Sequence, residues 1–177
     1  GPGNGLLDKF IKLRINKNYD KNGLIAKKGV TNNYLLKLFQ EELFFKLKPP
    51  KSLDKLSFFH ILNNKILKSL STEDGASTLS ELTVETIHKS IRFLPKRPKI
   101  YVVMGGGSKN NFIINKLQEK LNYTLYTADQ LALPGQYIEA ELIAFLASRK
   151  FNKLPITFPS TTGVNVPIIG GKIYKFK

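Results

Sequence analysis

The sequence predicts a helix-rich α/β fold, and three observations lead to that prediction. Apolar residues recur at helical spacing over most of the chain between Leu6 and Leu94. A run of β-branched and aromatic residues at 100–104 then has the composition of a buried strand. Three glycines follow, and helical spacing resumes directly after them. This order predicts a sheet that is small for the number of helices, as in one lobe of a two-lobed protein.

The amino-terminal half is predicted to be helical. A first amphipathic helix has as its apolar face Leu6, Leu7, Phe10, Ile11 and Ile15. After a polar break at 16–23, residues 25–47 are predicted to be largely helical, with an interruption around 29–33. The residues expected on one face of this segment are Leu35, Leu38, Phe39 and Leu43. Pro49 and Pro50 end it, and residues 58–70 form another helix.

The second half is predicted to alternate between strands and helices. Residues 71–77 are polar and lead into a long amphipathic helix that ends near Leu94. Strands are expected at 99–104 and 123–126, separated by the glycines and a helix. A loop at 127–136 precedes a helix at 137–150, in which small alanines allow close packing. An irregular loop at 155–166 and a terminal strand or hairpin at 168–176 complete the chain.

Composition excludes several classes of protein. The apolar content of 42% is sufficient for a hydrophobic core, so wholesale disorder is excluded. No cysteine is present, which rules out disulfides and thiolate chemistry, and two isolated histidines, His60 and His88, predict no metal site. No apolar run is long enough to span a bilayer and no secretory signal is visible, so we expect a cytoplasmic protein without a membrane partner.

The formal net charge of +15 raises the alternative of a polyanion-binding protein. The basic residues are mostly lysines spread along the whole chain and interleaved with asparagine and isoleucine, without a dense basic block. This pattern is typical of an AT-rich coding bias. We therefore expect weak nonspecific association with polyanions and no specific nucleic-acid partner.

The glycines 105–107 mark the strongest candidate site. Glycine tolerates positive φ and allows a ligand to approach the bare backbone. The helix start that follows offers unpaired N–H groups and a positive dipole end, which suit a phosphate or a nucleotide. The pattern is neither GxGxxG nor a Walker loop. A glycine turn without a ligand is the alternative, and this motif by itself leaves both interpretations open.

Several segments, in order, resemble one family, the anhydro-N-acetylmuramic acid kinases. Residues 1–8 (GPGNGLLD) resemble the family's DTGPGNxLxD segment, and 19–23 (YDKNG) its YDxxG stretch. Residues 49–55 (PPKSLDK) with Phe58, and 78–83 (TLSELT), are similar to its PPKSxDR and TLxxLT motifs. Residues 105–110 (GGGSKN) match its GGGxxN loop, and 127–129 (TAD), 138–147 and the tail from Leu154 follow its later patterns. The resemblance covers the whole chain.

The resemblance implies an RNase H-like lobe of the actin-like ATPase type, with helical insertions. Residues 1–177 would form the C-terminal lobe of a two-lobed sugar kinase whose N-terminal lobe is not in this sequence. In the family, water opens the 1,6-anhydro ring of anhydro-N-acetylmuramic acid while ATP, with Mg²⁺, phosphorylates the oxygen released. The product, N-acetylmuramic acid 6-phosphate, belongs to cell-wall recycling.

The resemblance also implies an incomplete active site. The family's first phosphate loop and its catalytic aspartate lie upstream of the Gly-Pro-Gly-Asn segment, so no catalytic residue is expected in this chain. We expect little activity from it alone, and a missing lobe or separately encoded polypeptide as its partner; a homodimer is also open. A non-catalytic remnant or interaction module is the alternative function. Lys55 replaces a family arginine, and Glu141, Leu142 and Ile143 replace apolar and small residues.

Site residues follow from these motifs. The resemblance assigns to the nucleotide Gly105, Gly106, Gly107, Ser108 and Asn110, with Gly1, Gly3 and Asn4 as a phosphate-side loop. Ser108 has helix capping as its alternative role. Glu139 is expected to contact the sugar, with a simple helix-start carboxylate as the alternative. Asp8 and Asp20 are weaker candidates, for which capping or ion pairing is the expected role.

Overall fold

The structure is a computed structural model that describes residues 2–121, 123–135 and 137–174. Its α-helices are α1 (Gly5–Ile15), α2 (Asn33–Gln40), α3 (Leu43–Lys46), α4 (Lys65–Ser69), α5 (Thr72–Ser90), α6 (Asn111–Lys120), α7 (Ile138–Phe151) and α8 (Pro159–Thr162). Its strands are β1 (Ile100–Val103) and β2 (Thr124–Thr127). Short 3₁₀ helices lie at Lys21–Gly23, Ala26–Lys28, Lys55–Asn63, Ile91–Phe93, Gly106–Lys109 and Asp129–Leu131.

Helix α5 lies at the centre of the fold and packs against α1, α2 and α6. The Ser71 hydroxyl caps its start by accepting the N–H of Asp74 at 3.0 Å. Gly75 lets the Phe10 ring of α1 approach closely, because a β-carbon at this position would overlap the ring. The prediction that residues 71–77 precede the helix is wrong, since α5 begins at Thr72, and the buried residues of its first turns, Gly75 to Thr78, are small and give no large apolar signal.

The two strands form a parallel pair in which Ile100 aligns with Thr124 and Val103 with Thr127. Helix α6 makes the crossover between them, and its buried face joins a small core with the sheet. The prediction of a buried strand at 99–104 is wrong in one respect, since the Ile100 side chain is 56% exposed. Only the face that carries Tyr101 and Val103 packs on this core, and within the described residues β1 pairs with β2 alone.

The predicted helix at 25–47 is divided in the structure. It becomes the 3₁₀ turn at Ala26–Lys28, then α2 and α3. Leu35 and Phe39 are buried as predicted, whereas Leu43 is 71% exposed and Leu38 is also exposed. Leu36 is buried instead, so the face of α2 in the core is formed by Leu35, Leu36 and Phe39, and α2 packs on α5. In α1, Ile15 is exposed, so the buried face ends at Ile11.

The remaining differences concern helix ends and the tail. Residues 58–70 divide at Asn64, whose side chain caps α4 by accepting the N–H of Ile66 at 3.0 Å. The predicted helix to Leu94 ends at Ser90 and continues as a 3₁₀ turn. Among the described residues of the predicted strand at 168–176, only the bridge from Ile168 to Thr157 forms, and residues 175–176 lie outside the description. The irregular loop at 155–166 contains α8.

Helix α7 has nearly the predicted bounds but not the predicted packing. No residue of this helix is buried, so its alanines do not pack closely against a neighbouring element of the described structure. Among the described residues, no helix has the length and apolar character that crossing a membrane requires.

Candidate functional site

A cleft of about 590 Å³ opens between the start of α1, the turn at 19–23 and the glycine turn that follows β1. The residues that line it are Asn4, Asp8, Tyr19, Asp20, Lys21, Asn22, Gly106, Gly107, Lys109 and Asn110. These come from three distant parts of the sequence. The structure therefore places Asn4 beside Gly106, Gly107 and Asn110, four of the residues that the sequence assigned to one ligand.

The glycine turn is held by its own hydrogen bonds. Gly105 has φ of 73° and ψ of −169°, a conformation open essentially to glycine alone, and its N–H donates to the Gly135 carbonyl at 3.1 Å. The Ser108 hydroxyl donates to the Gly105 carbonyl at 2.7 Å. Ser108 thus closes the turn internally, and a contact of this residue with a ligand stays a prediction.

Gly106 and Gly107 differ from Gly105 in having no structural need to be glycine. A β-carbon built on either residue meets no atom within 4 Å, and neither has positive φ. The space over their backbone is open and forms one wall of the cleft. Because glycine has no side chain, these two positions leave room for a ligand, although the fold itself would accept a larger residue at either of them.

Asn110 stands at the start of α6 and is almost completely enclosed, with 3% of its surface exposed. Its Oδ1 caps the helix by accepting the N–H of Ile113 at 3.2 Å. Its Nδ2 has no hydrogen-bond partner among the described residues. Gly23 packs directly against this side chain, because a β-carbon there would overlap Asn110 Oδ1 and lie 3.0 Å from the Phe112 nitrogen.

The amino-terminal loop reaches the same cleft through Asn4. Gly3 has φ of 57°, and its carbonyl accepts the Thr83 hydroxyl of α5 at 2.9 Å, which anchors the loop to the central helix. Asn4 Oδ1 is buried without a hydrogen-bond partner among the described residues. Gly1, which the sequence also assigned to this loop, lies outside the described residues.

Two carboxylates lie in the cleft. Asp20 is buried and accepts the N–H groups of Ile25 and Ala26, each at 2.9 Å, so it has the capping role expected from the sequence. Asp8 is partly buried, and its pKa is raised to about 6. Burial is the largest cause and repulsion from Asp20 adds to it, whereas the positive charge of Lys55 lowers the pKa in part. Sequence reasoning ranked Asp8 low because a lone carboxylate near a helix start is usually a dipole partner.

Glu139 lies on the opposite side of the glycine turn from Asp8. It begins α7, is exposed, and lines a second pocket of about 250 Å³ together with Gly105, Gly106, Lys109 and Gly135. The glycine turn therefore separates two pockets and contributes to both. The role of Glu139 as a sugar contact stays a prediction.

The histidines lie elsewhere and do not form a metal site. His60 is bonded to the Ser57 carbonyl and to the Glu42 carboxylate, far in sequence from the cleft residues. Across residues 2–121, 123–135 and 137–174, no group of three or more His, Cys, Asp or Glu side chains is arranged to hold a metal ion.

Comparison with known proteins gives one consistent family. The model of the family described as anhydro-N-acetylmuramic acid kinase matches residues 1–176. A curated relative of that name from Zymomonas mobilis is 39% identical over 98% of this chain and 47% of its own length. The relative from Methylobacterium nodulans is 39% identical over 97% and 45%, and that from Methylorubrum populi 35% over 98% and 45%. The chain spans about half the length of the curated relatives it matches.

Proposed function

The chain belongs to the anhydro-N-acetylmuramic acid kinase family, and on that premise we propose that it carries the nucleotide-binding part of an ATP-dependent sugar kinase. In the proposed reaction, water adds to the anomeric carbon of the anhydro sugar and loses a proton to a base. The bond from that carbon to the bridging oxygen breaks. The bridging oxygen takes the terminal phosphoryl group of ATP and ADP leaves, so the product is N-acetylmuramic acid 6-phosphate.

One observation carries the assignment of the nucleotide. The open backbone of Gly106 and Gly107 lines the same cleft as Asn4 and Asn110, whose buried Oδ1 and Nδ2 atoms, respectively, have no hydrogen-bond partner among the described residues. Buried polar atoms normally have partners, so these two indicate a ligand with hydrogen-bonding groups. Lys21 and Lys109 line the same cleft and supply positive charge for phosphate groups.

Magnesium fits this cleft as a companion of the nucleotide. The described residues offer no cage of three or more acidic, histidine or cysteine ligands. Mg²⁺ keeps several waters and is commonly bound through substrate phosphates with one or two carboxylates, which needs no such cage. When bound, the ion would neutralise charge on the phosphates that the protein orients.

The proposal also covers the fold of the lobe, its contact with the sugar and the origin of the remaining active-site residues. The unit formed by β1, α6 and β2, followed by α7, supports an RNase H-like lobe with helical insertions. Glu139, in the second pocket beside the glycine turn, is proposed to contact the sugar. The first phosphate loop and the base that activates water are proposed to come from polypeptide outside these 177 residues. We place the reaction in the cytoplasm, where ATP is available.

A coupled kinase assay tests the proposal. ADP release is measured with anhydro-N-acetylmuramic acid, ATP and Mg²⁺, first for this chain alone and then with a polypeptide that supplies the rest of the family's length. We expect turnover only in the mixture, because the base and the first phosphate loop are then present. Robust turnover by the chain alone would refute its predicted inactivity.

The same assay separates the alternative function. A folded chain that neither turns over in the mixture nor binds ATP would instead be a non-catalytic remnant or an interaction module. Failure to bind DNA or RNA even at low salt, where attraction between charges is strongest, would remove the polyanion-binding alternative.

A further inference from the structure

The cleft contains three polar groups that have no hydrogen-bond partner among the described residues. The Asn110 Nδ2 and the Asn4 Oδ1 are buried and make no hydrogen bond. The Asp8 carboxylate is partly buried, and its raised pKa comes from burial and from Asp20, without a hydrogen bond. One donor and two acceptors are thus available to the same ligand.

The hydrogen bond by which Asn110 caps α6 fixes the orientation of its side-chain amide. Its Oδ1 accepts the N–H of Ile113, and exchanging oxygen and nitrogen would set the NH₂ group against that N–H. Nδ2 is therefore the atom left without a partner, and it can only donate. An enclosed donor without a partner destabilises the protein, and a ligand acceptor would remove that penalty.

The turn at 19–23 holds this donor in place. Asp20 fixes the turn through the N–H groups of Ile25 and Ala26, and Gly23 lies against the Asn110 side chain. Asn22 has φ of 57°, so the turn bends back sharply as it passes Asn110. The Asn110 side chain is therefore held between α6 and the turn, and these contacts fix the position of its Nδ2 group in the cleft.

The Asp8 carboxylate is a poor partner for a phosphate group. It is partly buried near Asp20, and both carboxylates would repel an anion beside them, while Lys55 opposes the charge of Asp8 and Lys21 and Lys109 also line the cleft. A hydroxyl group suits Asp8, Asn4 and Asn110 better, because it donates to a carboxylate or amide oxygen and accepts from an amide N–H at once. Two neighbouring hydroxyls could satisfy Asp8, Asn4 and Asn110 together.

We propose that Asp8, Asn4 and Asn110 form a subsite that binds the neighbouring hydroxyl groups of a sugar ring, and that its occupant is the ribose of the nucleotide. The inference rests on the proposed nucleotide function, since Gly106 and Gly107 border the same cleft. The hydroxyls of the anhydro-amino sugar have the same chemistry, and the experiment distinguishes the two sources.

The test compares dissociation constants of Mg-ATP, 2′-deoxy-ATP and 3′-deoxy-ATP by titration calorimetry. Wild-type chain is expected to bind at least one deoxy nucleotide about tenfold more weakly or worse, as for a lost hydrogen bond to a charged group. Asp8→Asn is expected to weaken ATP binding and to reduce the discrimination to less than about threefold. Asn110→Asp keeps the capping oxygen but removes the donor, and it should weaken ATP binding too.

Controls keep the outcomes distinct. Glu119→Gln removes a carboxylate on the exposed face of α6 and should change neither affinity nor discrimination. Equal binding of all three nucleotides by the wild type would overturn the ribose subsite while the nucleotide function stands. Absence of any ATP binding, by the folded chain alone and in its mixture with the polypeptide that supplies the rest of the family's length, would overturn both. If Asp8→Asn weakens binding of the anhydro-amino sugar but not of ATP, the hydroxyls belong to that sugar and the ribose assignment is wrong.

Discussion

Gly23 lies so close to Asn110 that a β-carbon at position 23 would overlap the Oδ1 atom of the asparagine. The same atom caps α6, so the turn at 19–23 and the start of α6 are packed through a single side chain. This contact joins the segment that carries Asp20 to the segment that follows the glycine turn, and residues of both segments line the cleft.

Replacement of this glycine tests the contact. Gly23→Ala combines a strained φ of 70° with the overlap on Asn110, and we expect a loss of about 3 kcal/mol in the free energy of unfolding. Gly3→Ala is the matched control, with φ of 57° and no atom within 4 Å, and should lose about 1 kcal/mol. Urea denaturation measures both, and equal losses would mean that the contact with Asn110 has no energetic weight.

Gly106→Ala and Gly107→Ala separate a ligand role from a structural one. Each β-carbon would enter open space at ordinary φ, so we expect unchanged or slightly higher stability, by up to about 1 kcal/mol. ATP affinity should fall about tenfold or more, because a methyl group would occupy the wall that the ligand approaches.

Gly105→Ala is the contrasting variant for this pair. Its φ of 73° makes the substitution strained, so the melting temperature should fall even without nucleotide. Thermal melting and nucleotide titration are measured on all three variants. Unchanged ATP affinity in Gly106→Ala and Gly107→Ala would favour a purely structural glycine turn.

Asp8→Asn is predicted to stabilise the fold near neutral pH. The pKa of Asp8 is raised from 3.8 to about 6 by burial and by Asp20, so the charged carboxylate destabilises the folded state above pH 6. After allowance for solvent screening, we expect a gain of roughly 1 kcal/mol at pH 7.5. The gain should diminish as pH falls below 6 and vanish below about pH 3.8, where the carboxyl is neutral in both states.

Thermal melting across this pH range checks the Asp8 prediction. Asp54→Asn is a suitable comparison, because Asp54 caps the 3₁₀ helix at Lys55–Asn63 through the N–H of Leu56. It should be neutral or destabilising at pH 7.5. A stabilisation by Asp8→Asn that is the same at pH 4 and pH 7.5 would exclude its charge as the cause.

His60 is predicted to stabilise the fold in its charged form. Its two ring nitrogens lie 2.8 Å from the Ser57 carbonyl and 2.8 Å from a Glu42 carboxylate oxygen, and only the imidazolium can donate to both. The hydrogen bond to Glu42 raises the pKa of His60 above 6.5. The stabilisation is therefore complete below pH 6.5 and is lost as pH rises through the raised pKa.

The His60 effect is measured by melting curves between pH 5.5 and 9. His60→Gln should lower stability by less than about 1 kcal/mol at pH 5.5, since the pair is solvent-exposed, and should have little effect at pH 9. His88→Gln, on the exposed end of α5, serves as the matched histidine control. A loss that is equal at both pH values would contradict a role for the imidazolium.

Much of the fold could be predicted because large apolar residues at regular spacing mark their own burial. Helices α1, α6 and α7 and both strands lie within a few residues of their predicted positions. The start of α5 could not be predicted, because the buried residues of its first turns are Gly75, Ala76, Ser77 and Thr78, of which Gly75 lies against the Phe10 ring. Leu38 and Leu43 have the right spacing for a core face, yet both are exposed, because the helix is divided between α2 and α3 and α2 buries Leu35, Leu36 and Phe39.

The sequence by itself determined the family and the glycine turn and singled out Asn110 as a candidate site residue, because each depends on local backbone geometry or on motifs of fixed spacing. That Asn110 also caps α6 came from the structure. The tertiary structure alone decided that Asn4, Asp8 and the turn at 19–23 face Gly106 and Asn110 across one cleft. The physical reason is that burial, repulsion and unpaired hydrogen-bonding atoms arise only when distant segments pack together. Both the raised pKa of Asp8 and the Asn110 Nδ2 atom without a hydrogen-bond partner among the described residues result from that packing.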